Sequence, residues 1–222
     1  MSEHCVEKNF KKFLKRVMYS SLVLISILLF SCSHKNYGVF EHSSDVGPVS
    51  HAGTTSFDKE TNTYQLSGAG ANIWFAKDEF HYAYNKISGD FLLKARGELL
   101  GEGVDPHRKI GWMLRSSLDT SATMICVTVH GDGLTSIQYR KNVGEDVEEI
   151  KSPIIMPDVF QIEKRGNTIT ANVGKQGEEL WTGEVVDLKF PEEMFAGLFI
   201  CSHNADVVEH AKFWDVQIMR YQ

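Results

Sequence analysis

The sequence predicts an all-β fold, a two-sheet jelly-roll sandwich, on three observations. From Phe57 onward the chain is a succession of short runs rich in β-branched and aromatic residues. Turn-forming strings such as Ser67-Gly68, Gly131-Asp132-Gly133, Arg165-Gly166-Asn167 and Gly174 to Gly177 punctuate these runs. No stretch holds a 3.6-residue apolar stripe for four turns, so a helix would have no face to bury. A chain of 222 residues that is 42% hydrophobic and 23% charged has the makeup of an ordinary globular domain, and one domain is the expectation.

The first 32 residues differ from the rest. Lys8, Lys11, Lys12, Lys15 and Arg16 precede the apolar run Leu22 to Phe30, which leads into Ser31-Cys32-Ser33. A basic head, a short apolar middle and a small residue before a cleavage point predict a secretory signal, and the run is too short to span a bilayer stably. Leu29-Phe30-Ser31-Cys32 resembles a bacterial lipobox, with Phe30 bulkier than the common pattern. Cys32 is therefore the expected lipid anchor to a membrane, and an exported cell-envelope lipoprotein is the expected product. A signal-anchor helix and an ordinary cleaved leader are the alternatives. This leader carries five basic and two acidic side chains, so the remaining body is three units more negative than the whole-chain charge of -6. An acidic body with scattered lysines and arginines gives nucleic acid no footprint. Residues 33–55, rich in Ser, His, Gly and Thr without periodicity, are predicted to be a flexible tether, and residues 56–222 the folded domain.

Within the domain the predicted strands, in order, are 63–68, 72–76, 81–87, 91–100, 109–117, 123–130, 135–141, 147–153, 158–166, 168–174, 180–188, 194–203 and 211–220. The Arg165-Gly166-Asn167 and Gly174 to Gly177 connections predict a meander of hairpins, because Gly and Asn tolerate positive φ. About a dozen strands exceed a minimal immunoglobulin sandwich and suit two packed sheets. Cys126 and Cys201 each lie in an apolar run, and can be either a bridge between strands or two buried thiols.

Period-two counting assigns faces. Ile110, Trp112 and Leu114 share one side of their run, Ile125, Val127 and Val129 one side of the next, and Ile137 and Tyr139 one side of the third. If the three runs are antiparallel neighbours, the opposite side carries Arg115, Thr128, His130, Gln138 and Arg140. Such a row of donors is either the solvated back of a half-buried sheet or a binding face. The loops favour binding. Trp74, Phe75 and Phe80 flank Asp78 and Glu79, His107 precedes the first strand of the set, Asp132 sits in its second turn, and His203 follows a late strand. Rings beside planar polar groups suit a sugar, whose C–H faces stack while its hydroxyls hydrogen-bond. The expected carbohydrate-binding residues are Trp74, Arg115, His130, Gln138, Arg140, His107 and His203. No cofactor motif is present; Asp78 and Asp132 are the candidates for holding a Ca2+ ion.

The strings GANIWFAKDEFHYAYNKISGDF, HRKIGWMLRSSLD, VHGDGLTSIQYR, PDVFQIEKRGNT and AGLFICSHNADVVE, in that order over residues 57–220, resemble the concanavalin A-like (laminin-G/glucanase-type) domain of exported bacterial proteins, found in some beside a TolB-like β-propeller. The resemblance implies a lectin/glucanase jelly roll without implying one activity. The E-x-D-x-x-E strand of glucanase-type enzymes is absent, and Glu145-Asp146-Val147-Glu148-Glu149 is a charged hairpin tip instead. The R-x-E-x-R strand of alginate lyases is also missing. Two functions remain in view: a glycan-binding lipoprotein, and a glycan-active hydrolase or lyase in which a histidine moves protons beside a carboxylate. Docking of a partner protein on the polar face is a third.

Overall fold

A computed structural model describes residues 36–185 and 187–221; the expected leader, Cys32 included, lies outside the described residues. The described residues form fourteen strands and no helix. These are β1 (His42–Val46), β2 (Thr54–Asp58), β3 (Thr63–Gly70), β4 (Phe80–Ser88), β5 (Phe91–Leu100), β6 (Lys109–Arg115) and β7 (Met124–His130). They continue as β8 (Thr135–Arg140), β9 (Glu148–Lys151), β10 (Val159–Arg165), β11 (Thr168–Gly174), β12 (Trp181–Val185), β13 (Glu193–Cys201) and β14 (Asn204–Arg220). Two antiparallel seven-stranded sheets result, ordered β1-β4-β13-β6-β7-β8-β9 and β12-β11-β10-β5-β14-β3-β2. The chain is the two-sheet jelly roll that its alternation predicts.

Between the sheets lies one core. Ile110, Trp112, Leu114, Ile125, Val127, Val129, Ile137 and Tyr139, the side chains that period two places together, all belong to it, with Phe160, Ile162, Ala171 and Phe213 from the facing sheet. A second apolar cluster occupies the other side of the first sheet. Met113, Met124, Cys126, Phe199, Cys201, Phe80 and Tyr82 pack there under the loop that carries Ile73 and Trp74. That sheet is therefore covered on both faces over much of its area. Cys126 and Cys201 are free and buried in this second cluster. Burial pushes their thiols up to about 12 and about 11, so both stay protonated and inert at neutral pH.

Three expectations need correction. Residues 42–46 and the start of 54–58 are strand where a tether is predicted over 33–55: β1 pairs with Phe80–Tyr84 and β2 with Thr63–Ser67. Phe40, just ahead of β1, packs against the rings of Tyr64 and Trp112. The run 72–76 is a loop closed by an isolated bridge between Ile73 and Asp78, where a strand is predicted. The last strand begins at Asn204, seven residues ahead of its predicted start at 211, and absorbs two register shifts along the way.

A polar clamp holds the first two strands to the body. His81 of β4 is 2% exposed; its Nδ1 lies 2.7 Å from Asp45 Oδ1, and its Nε2 lies 3.1 Å from Ser43 Oγ and 2.9 Å from Thr55 Oγ1. Asp45 also accepts the Gly53 N–H. Replacing Asp45 with alanine leaves a buried imidazole N–H unpaired, which costs about 1–2 kcal/mol given the partial exposure of the carboxylate. Urea denaturation of Asp45→Ala checks this.

Candidate functional site

The site is built where the first sheet's outer face stops being covered. In register, Arg115, Met124 and Arg140 lie side by side across β6, β7 and β8, followed by Met113, Cys126 and Gln138, then Gly111, Thr128 and Ser136, and finally Lys109 beside His130. The first of these rows is sealed and the last is open.

The sealed end is closed by the loop between β3 and β4. Gly70 makes the fold-back possible: its φ is +129°, and a Cβ there would stand 2.1 Å from the Glu79 carbonyl oxygen. The loop drops Asp78 onto the sheet, where Oδ2 accepts from Arg115 Nη1 at 2.6 Å and Arg140 Nη1 at 2.9 Å, while Oδ1 accepts from Arg140 Nη2 at 2.6 Å. All three side chains are wholly buried. Five further guanidinium donations go to backbone carbonyls of Ser117, Asp119, Ala122, Glu145 and Phe75. Arg115 and Arg140 are thus fasteners for three loops, and the expectation that they face a ligand is corrected. Asp78 is corrected with them, because two guanidiniums occupy both its oxygens and leave no face for a cation. Asp132, the other candidate, is an exposed turn residue whose Oδ1 accepts the Leu134 N–H at 2.9 Å. Among the described residues no three His, Cys, Asp or Glu side chains converge on a metal position.

At the open end a groove of about 330 Å³ is lined by Trp74, His107, His130, Gln138 and His203, five of the seven predicted sugar-binding residues. Lys109, Asn72, Glu149 and Lys151 also line it and are absent from the prediction. Loop anchors bring these groups together. Arg108 pairs with Glu209 at 2.6 Å with both side chains nearly buried, and Glu209 also accepts the Val104 N–H. This fixes the segment that carries His107. Asp105 accepts the His107 backbone N–H at 2.7 Å and lies 3.4 Å from His203 Nδ1. His203 holds a left-handed backbone, φ +59°, at the turn between β13 and β14. The His107 ring centroid sits 5.4 Å from that of His203 and 6.1 Å from that of His130.

Burial and a neighbouring charge keep His130 and His203 neutral. Burial, and then the Lys109 ammonium, push His130 down to about 4, and the same two causes lower His203. His130 Nδ1 lies 3.0 Å from the Leu134 carbonyl oxygen, so the neutral ring carries its proton there and donates it. Nε2 is left as a lone-pair acceptor with no hydrogen-bond partner among the described residues. Gln138 bridges two groups of opposite sign: its Oε1 accepts from Lys109 Nζ at 3.4 Å and its Nε2 donates to Glu149 Oε1 at 3.2 Å. A half-buried indole, a lone-pair acceptor, an ammonium, amides and one carboxylate therefore converge on one depression. Such a set can stack a ring and satisfy hydroxyls of either polarity.

No protein-family model matches the chain, and no curated protein is similar to it in sequence. Solved structures are similar in fold. A functionally unknown protein from Saccharomyces cerevisiae superposes with a TM-score of 0.61 at 8% identity, over 81% of this chain and 97% of that one. The carbohydrate binding module CBM66 from Bacillus subtilis gives 0.52 at 18% identity, over 82% and 97%. A prokaryotic β-1,3-1,4-glucanase (lichenase) derived from a mouse hindgut metagenome gives 0.50 at 10% identity, over 84% and 95%. The domain has the concanavalin A-like lectin/glucanase fold that the strings along residues 57–220 resemble.

Proposed function

We propose that this domain binds a glycan in the groove at the open end of the first sheet, and that it does so as an exported, lipid-anchored protein of the cell envelope. The observation that carries the binding role is the convergence of Trp74, His130 and Gln138 on one 330 Å³ depression, reached from a loop and two strands. The fold shared with a carbohydrate binding module supports it, and so does the opening of the groove on a polar sheet face. Trp74 supplies the stacking surface, His130 Nε2 accepts a hydroxyl proton, and Gln138 and Asn72 contribute planar amides.

Isothermal titration against a panel of oligosaccharides tests this. Trp74→Ala is expected to weaken binding at least about tenfold, the loss of one stacked ring face. No binding heats, or a variant that binds unchanged, overturns the proposal.

One observation favours a second reading, a glycan-active hydrolase or lyase. His130 is neutral at pH 7 with an unengaged Nε2 in the groove, which is the state a general base needs. Against two-carboxylate hydrolysis, Glu149 is the one carboxylate lining the groove among the described residues. Release of reducing ends or of unsaturated products, abolished by His130→Ala, would establish catalysis.

A further inference from the structure

Lys109 is the most unusual residue of the groove. Its side chain is 2% exposed, and an ammonium so deep normally lies against a carboxylate, because an uncompensated buried charge is costly. Lys109 has none. Nζ reaches three neutral oxygens, Ile73 O at 3.3 Å and both Asn72 Oδ1 and Gln138 Oε1 at 3.4 Å, each at the long limit of a hydrogen bond. The single carboxylate of the groove, Glu149, is turned to the Gln138 amide and to Lys151 Nζ at 3.8 Å. Nearby guanidiniums are paired: Arg115 and Arg140 share Asp78, and Arg108, just ahead of β6, holds Glu209.

Resting on the glycan-binding reading above, we infer that the groove selects an acidic sugar, a uronic-acid residue whose carboxylate seats on Lys109. The donor set fits a carboxylate better than a sulfate or phosphate. Asn72 Oδ1 accepts the Ile73 N–H at 2.7 Å and faces Lys109 Nζ at 3.4 Å, while Nδ2 of the same amide has no hydrogen-bond partner among the described residues. Asn72 Nδ2, and an ammonium that can exchange one of its three long contacts for a stronger charged acceptor, match two carboxylate oxygens. One unbalanced positive charge matches one negative charge. No guanidinium fork remains available in the groove to hold a tetrahedral dianion. The sugar's hydroxyls then find His130 Nε2 and Glu149 as acceptors.

The test compares one oligouronate with its own carboxyl-reduced form, together with a sulfated neutral oligosaccharide of the same length, by titration calorimetry. The oligouronate is expected to bind at least about tenfold tighter than the reduced form, in line with hydrogen bonds to a charged group. Lys109→Met, which removes the buried charge and keeps the chain length, is expected to erase that preference without lowering the melting temperature. Asn72→Asp is the second variant. It preserves side-chain shape, gives Lys109 an internal counter-ion, and is expected to abolish the preference while raising the melting temperature. Equal affinity for the two forms, tighter binding of the sulfated sugar, or a preference that survives both variants overturns the inference. Tryptophan-dependent binding of the reduced form alone would sink the acidic-sugar inference and leave the glycan reading standing. Binding of no saccharide sinks both.

Discussion

Asp78→Ala is expected to cost the domain about 3–5 kcal/mol, the penalty for removing one partner from a buried ionic cluster and leaving the others charged. Two guanidiniums with no exposed surface share this one carboxylate. Alanine leaves both cations buried with only neutral acceptors, backbone carbonyls and the Met113 sulfur, and it frees the 71–79 loop from the sheet. Since small domains are stable by about 5–15 kcal/mol, the variant would sit near the edge of folding. Asp78→Asn keeps the shape and loses the charge, so it is expected to fall between the two. Joint replacement of Arg115, Asp78 and Arg140 by Met, Leu and Met removes all three charges together and so avoids the unpaired-charge penalty, but it is still expected to destabilise, because five loop carbonyls lose their donors. Urea denaturation measures each case; a loss below about 1 kcal/mol for Asp78→Ala would show that the cluster does not bear on stability. The groove is coupled to the same cluster. Arg140 Nη2 holds the Phe75 carbonyl, next to Trp74, and the Val147 N–H donates to the Trp74 carbonyl at 2.9 Å. The proposed glycan binding should therefore weaken along with stability in any Asp78 variant that still folds.

The misplacement of those two arginines shows where sequence periodicity stops informing. Alternation along β6, β7 and β8 places eight apolar side chains in the inter-sheet core, and all eight are there, because an antiparallel strand has only two faces and one must be buried. The other face depends on which loop lies over it, and period two carries nothing about a loop 30 or more residues away. A signal was present nonetheless. Met113, Met124 and Cys126 alternate onto the same side as Arg115 and Arg140, and so apolar a neighbourhood does not belong to solvent. Lys109 is legible too, since an antiparallel β6–β7 pair puts it opposite His130. The strands β1 and β2 escaped because HSSDV and TTSFD are short edge segments held by backbone pairing and by the Asp45–His81 clamp, and they lack an apolar rhythm. Conversely, the apolar run 72–76 imitates a strand, although Ile73 is buried and Phe75 is 61% exposed because the segment turns across the sheet.

The second large effect is a loss of stability in mild acid that traces to His130. Its ring titrates at about 4 in the folded protein, down from an ordinary value of 6.5, chiefly because burial disfavours the imidazolium and next because Lys109 repels it. Between those two values the unfolded chain takes up a proton that the folded chain refuses. The contribution of the neutral ring is therefore fully present above pH 6.5, declines as the pH falls through the window, and is gone by about pH 4. A shift of this size corresponds to about 3 kcal/mol. The lowered His203 acts in the same direction, whereas Asp105 and Asp158, held below their ordinary value, contribute only under more acidic conditions. Urea midpoints at pH 7.5 and 4.5 should differ strongly in the wild type. His130→Gln, whose amide can still donate to the Leu134 carbonyl, should lose most of that difference; a slope unchanged by the substitution would place the acid sensitivity elsewhere. The same depressed titration has a functional corollary. Because Nε2 keeps its lone pair down to about pH 4, acceptance of a ligand hydroxyl should be nearly constant from pH 7 to 5, a range over which the fold itself loses stability.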